Sequence, residues 1–122
     1  MLLHGERLDG VKPELAMLVI AVAVRRDVMV TCGLRTPVEQ QRMVQEGKSQ
    51  TLHSKHLTGD AVDLAVLDKD GKVTWEFGAY ADLAQMMKST SKQRGVSIVW
   101  GGDWQTLRDG PHFELAKGTV AV

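Results

Sequence analysis

The 122-residue chain has a single cysteine, Cys32, so it cannot close an internal disulfide. It has no surplus of either charge, with 15 Lys plus Arg against 15 Asp plus Glu. A nucleic-acid binder usually carries a basic excess, and a polybasic membrane anchor requires one; neither nucleic acid nor a stable membrane association is expected. Long hydrophobic runs are missing too. The longest, 15–24, is closed by Glu14 and by Arg25 and Arg26, and is too short to span a bilayer. An export signal would open with a basic stretch and end at a small-residue cleavage site. Here His4, Glu6, Arg7 and Asp9 come first, so no export signal is read. Repeats, low-complexity segments, paired cysteines and a His-Glu-x-x-His helix are all lacking, which removes the common zinc motifs.

What remains is ordinary globular composition, 43% hydrophobic and 25% charged, at a length that fits one domain over 1–122. Pro13 suits the first turn of a helix, and the apolar run after it predicts a mostly buried helix over 13–26. A strand is expected over 28–34, with Val28, Val30, Cys32 and Leu34 on one face; Cys32 then reads as a small buried apolar side chain. Thr36, Pro37 and Glu39 form a helix start with a capping box, and that helix should fade at Gly47. The polar stretch 48–59 reads as a loop. Residues 61–67 alternate as a strand, the 68–71 turn leads to a short strand at 72–75, and apolar spacing predicts a helix over 76–93 that Gly95 ends. Strands follow at 96–100 and 111–115. This order gives an α+β fold: an antiparallel sheet with helices packed on one face.

Chemistry concentrates in two places. In the strand over 61–67, Asp63 shares a face with Ala61 and Ala65, opposite Val62, Leu64 and Val66, so its carboxylate points away from the core. His56 ends the loop before it. In the last strand Phe113 and Leu115 face the core while His112 and Glu114 face the other way, and two strands of one sheet can bring His112 beside Asp63. Two imidazoles and a carboxylate make a zinc donor set with a position left for water. Asp109 is close enough in sequence to move protons. His4 stands alone near the amino terminus.

The pattern Ser54-x-His56-x-x-Gly59-x-Ala61-x-Asp63, followed by Asp109-x-x-His112, resembles the metallopeptidases related to bacterial D-alanyl-D-alanine dipeptidases and carboxypeptidases. Trp100-Gly101-Gly102-Asp103-Trp104, and Gly33-Leu34-Arg35-Thr36 with Glu39-Gln40-Gln41, look most like the phage endolysin branch, the L-alanyl-D-glutamate peptidases. The likeness covers about residues 30–116. It implies a Zn2+ enzyme with His56, Asp63 and His112 as ligands and Asp109 as general base, where many relatives have Glu. It further implies Arg35 for substrate or oxyanion binding, Ser54 and Glu114 as partners orienting the ligands, His53 near substrate or lining the loop, and Trp100 or Trp104 as a cleft wall or core packing. The implied substrate is the stem peptide of peptidoglycan. The implied protein is a monomeric bare catalytic domain without a wall-binding domain, held in the host cytoplasm until release to the wall. A D,D-carboxypeptidase or dipeptidase, or a non-catalytic peptidoglycan-binding module, are the alternatives.

Overall fold

The computed structural model describes residues 1–49, 51, 54–106 and 108–116. Three helices, α1 (Pro13–Ala23), α2 (Pro37–Gln45) and α3 (Phe77–Arg94), accompany six strands. These are β1 (Leu2–Leu3), β2 (Val28–Cys32), β3 (Ala61–Leu67), β4 (Val73–Thr74), β5 (Ile98–Trp100) and β6 (His112–Leu115). The sheet runs β1-β2-β3-β6-β5, with β4 also paired to β3. All pairings are antiparallel except β1 with β2, which is parallel. The α+β reading therefore stands, with one strand added at the amino-terminal edge. Two leucines are too short a run to show a period.

Local signals set the boundaries. Pro13 opens α1, and at α2 the Thr36 side chain caps Glu39 N–H while the Glu39 carboxylate returns to Thr36 N–H. Gly95 closes α3 in the left-handed conformation. α1 and α3 pack side by side on one face of the sheet. Leu15, Leu18, Val19, Val22, Leu83 and Met87 meet Val28, Val30, Val62, Leu64, Val66 and Phe113 there. Each such side chain, fully removed from water, contributes about 1.5–3 kcal/mol. The Tyr80 hydroxyl accepts from Val66 N–H and donates to Thr74 carbonyl, tying α3 to the β3–β4 hairpin. α2 is largely exposed and fully buries one side chain, Gln40.

One expectation fails in β2. Val30 pairs with Leu64, but Cys32 rather than Thr31 pairs with Asp63, so a bulge inserts one residue. A bulge reverses the side-chain phase beyond it. Cys32 consequently leaves the core face and joins Asp63 on the opposite one, half-buried, and Leu34 is exposed.

Candidate metal centre

The face of the sheet away from α1 and α3 carries the site. Cys32, Asp63 and His112 lie side by side across β2, β3 and β6, because Asp63 is the register partner of both neighbours. His56 arrives from a 3₁₀ turn, Lys55–Thr58, just before β3. Ser54 starts that turn, its hydroxyl accepting from His56 N–H at 3.2 Å. Gly59 ends it at φ 76, where a Cβ would also run into the Gly10 carbonyl oxygen.

Both imidazoles turn one nitrogen to Asp63 and give the other to a fixed acceptor. His56 Nε2 is 3.3 Å and His112 Nδ1 3.0 Å from Asp63 Oδ1. His56 Nδ1 is 2.8 Å from the Gly33 carbonyl oxygen, and His112 Nε2 is 2.8 Å from Glu114 Oε1. With a cation bound, the outer nitrogens would keep their protons on these acceptors and the inner ones would give up theirs to present lone pairs. Glu114 is in turn held by Lys55 Nζ at 2.9 Å. The inner donors, two nitrogens and one carboxylate oxygen, are of the kind a metal centre uses, and Asp63 is the group that both histidines share.

Asp63 couples the charges of the whole cluster. Burial disfavours the charged form of His56, yet the hydrogen bonds to Asp63 and Cys32 outweigh it and raise its pKa to about 10. His112 goes up to about 9 against its own burial, through Asp63 and Glu114, with the His56 charge opposing. Burial works against the Asp63 carboxylate too, but the two imidazoles hold it well below the usual range. Asp109 behaves oppositely: burial, and then the Asp63 charge, push its carboxyl up despite both histidines. Among the described residues two groups stand close enough to share an ion, Asp109 with Asp63 and His112, and Cys32 with His56 and Asp63, so each holds one histidine. Asp109 N–H donates to Gly101 carbonyl, and a side chain at Gly101 would press on Asp109 and His112.

A cleft of about 580 Å³ opens over this cluster, walled by Arg35, Ser54, Trp104, Asp109 and Glu114 among others. Trp104 stands 5.1 Å from the His112 ring, whereas Trp100 is buried and donates its Nε1–H to Gly110 carbonyl. Of the two tryptophans, Trp104 is the cleft wall and Trp100 is core. Arg35 is buried, its Nη1 donating to Gln40 Oε1 at 2.6 Å and its Nη2 lying 3.2 Å from Cys32 Sγ. Gln40 donates onward to Ser49 Oγ and Thr51 carbonyl. His53 lies outside the described residues. The sequence reading gave no site role to Cys32, Lys55 and Arg108, and Gln40 entered only within the family motif.

A two-histidine, one-aspartate cluster open to a cleft, with a carboxyl of raised pKa beside it, is the donor arrangement of a metal-dependent hydrolase. Comparison narrows the class. A family model for phage L-alanyl-D-glutamate peptidases matches residues 4–120, and the chain belongs to that family. It is 31% identical to the L-alanyl-D-glutamate peptidase of Escherichia phage T5, over 93% of this chain and 86% of the relative. It is 36% identical to the enzyme of the same name from Listeria phage A118, over 73% of this chain but 30% of the relative. With the Bacillus subtilis peptidoglycan L-alanyl-D-glutamate endopeptidase CwlK the match spans 60% of the relative at 28% identity. The chain thus spans less than two thirds of these last two relatives. Among solved structures, the Serratia marcescens L-Ala D-Glu endopeptidase ChiX is 44% identical, with a TM-score of 0.83 over 91% of this chain and 84% of that one. A vancomycin-resistance D,D-dipeptidase shares the fold alone, at 15% identity and a TM-score of 0.56, over 86% of this chain and 50% of that one.

Proposed function

We propose that this chain is a peptidoglycan endopeptidase that hydrolyses the L-alanyl-D-glutamate amide of stem peptides, with zinc held by His56, Asp63 and His112. One observation carries the reading. Two imidazole nitrogens converge on Asp63 Oδ1 while their outer nitrogens are committed to Gly33 carbonyl and Glu114. Nitrogen and carboxylate oxygen suit zinc, and the names of the relatives supply the bond. Zinc, when bound, polarises the scissile carbonyl and lowers the pKa of water.

The chain's own groups do the rest. Asp109, with its carboxyl pushed up by burial, takes a proton from the attacking water and returns it to the leaving nitrogen. Arg35, held rigid by Gln40 and Cys32, offers positive charge at the cleft wall for the developing oxyanion. Glu114 and Lys55 keep His112 turned inward, Ser54 fixes the turn that carries His56, and Trp104 closes one side against water. In this reading the protein acts as a monomer on the wall, reached from the host cytoplasm. Among the described residues no helix is long and apolar enough to cross a membrane.

The test is mass spectrometry of purified muropeptides after digestion with zinc-loaded protein. Peptides that begin at D-glutamate, with L-alanine left on muramic acid, are expected. Release of terminal D-alanine alone would assign the chain to the D,D-carboxypeptidase alternative, and intact muropeptides would favour a binding module.

A further inference from the structure

Among the described residues, four arginines and lysines line the cleft beside the two histidines: Arg35, Lys48, Lys55 and Arg108. Three are committed or loose. Arg35 is tied through both terminal nitrogens to Gln40 and Cys32, and its charge is already assigned to the oxyanion. Lys55 is neutralised by Glu114 and also donates to Leu115 carbonyl. Lys48 is 68% exposed, 3.7 Å from Glu46, on a flexible stem.

Arg108 differs from all three. Its Nε donates to the Gly102 carbonyl at 3.0 Å, and its guanidinium carbon lies 4.9 Å from the centre of the Phe77 ring. Phe77 in turn rests on the buried Trp100, with ring centres 5.5 Å apart. The guanidinium plane is therefore fixed from one edge and one face, while its terminal nitrogens have no partner among the described residues. The anchoring turn, Gly101–Asp103, is the one that packs against Asp109 and His112 through Gly101. A guanidinium held at one nitrogen and over a ring, with its terminal N–H donors left for the cleft it shares with the histidine–aspartate cluster, is suited to receive a carboxylate.

The substrate reading above, on which this inference rests, supplies the carboxylate. A glutamyl residue has two carboxyls. When alanine acylates its nitrogen and the peptide continues through one carboxyl, the other stays free and ionised a few bonds from the scissile amide. We propose that Arg108 reads this free carboxylate and so is a specificity-determining residue for the leaving-side glutamate.

The experiment compares kcat/KM for two stem peptides with zinc-loaded protein. One keeps the free glutamyl carboxylate, and the other carries a primary amide in its place. The wild type is expected to prefer the carboxylate by about 10- to 100-fold, the range for a hydrogen bond to a charged group. Arg108→Gln should bring the ratio near one by losing rate on the carboxylate peptide only. Phe77→Leu keeps the charge but removes its platform and should give an intermediate ratio. Because each ratio is taken within one variant, any loss of folded protein cancels. Equal rates in the wild type, or an undiminished preference in Arg108→Gln, would overturn the proposal. Calorimetric titration with the free D-glutamyl peptide and its amide separates this question from the identity of the bond cut. Tighter binding of the carboxylate form that vanishes in Arg108→Gln supports the subsite even if another bond is hydrolysed, and equal binding refutes it.

Discussion

Metal binding to this cluster should be strongly linked to protons. Without metal, His56 and His112 hold their protons up to about 10 and about 9, because each faces the Asp63 carboxylate. A metal ion needs the neutral imidazoles, so both protons must leave when it binds. Each proton released changes the binding free energy by about 1.4 kcal/mol per pH unit. Lowering the pH from 8 to 7 should then weaken zinc binding by about 90-fold, and each zinc bound at pH 7 should release about two protons. Histidines with the ordinary value of about 6.5 would give a change under about twofold and about half a proton. Chelator competition at the two pH values measures the first quantity, and calorimetry in buffers of different ionisation enthalpy measures the second. A pH effect below about fivefold would mean that Asp63 does not hold the two imidazolium groups as its geometry implies.

Three further outcomes follow from the same geometry. Asp109→Asn should lower kcat by roughly 10²- to 10⁴-fold while zinc affinity changes little, since the amide keeps the side chain's shape and the backbone bond to Gly101 but not the basicity; zinc content by atomic absorption and steady-state rates check both halves. Glu114→Gln removes the anion that turns His112 inward and should weaken zinc binding by about 10- to 100-fold, read by chelator competition. Chelation should lower the melting temperature, and the chelated protein should respond to pH in a definite direction. With both histidine pKa values raised, their contribution to stability is complete below about 6.5 and is lost as pH rises through about 9 to about 10. The lowered Asp63 carboxyl contributes above about 3.9, and that contribution disappears as pH falls through its folded value. A melting curve indifferent to chelator and to alkaline pH would remove the cluster from the energetics of folding.

Much of this architecture was legible because its signals are local. Thr36 and Glu39 announce α2 within four residues, Gly95 stops α3, and the alternation over 61–67 gives both the limits of β3 and the face on which Asp63 lies. The same alternation separated His112 and Glu114 from Phe113 and Leu115. Other features depend on contacts between distant segments, and no period encodes those. β1 is two residues long. The bulge leaves the sequence alternation of Val28, Val30 and Cys32 intact while reversing what it means in space, and a thiol is small enough to suit either face. The tautomer of His56 depends on a carbonyl 23 residues away, and Arg108 sits in an irregular loop where only the folded position of Phe77 gives it a role.

The extra residue in β2 bears on how such a chain tolerates change in length. Beyond it the strand leaves the sheet with Cys32 on the cleft side, the Gly33 carbonyl on His56 and Arg35 joined to the turn through His56 carbonyl. Deleting one residue there would carry these groups to the opposite side together, leaving a sheet that still pairs but a metal cluster without its neighbours. One residue added or lost near Ser49 would instead displace the acceptors of Gln40, and reach the cluster only through Arg35. The length of β2 therefore bears on the whole cluster at once, through Cys32, the Gly33 carbonyl and Arg35 together.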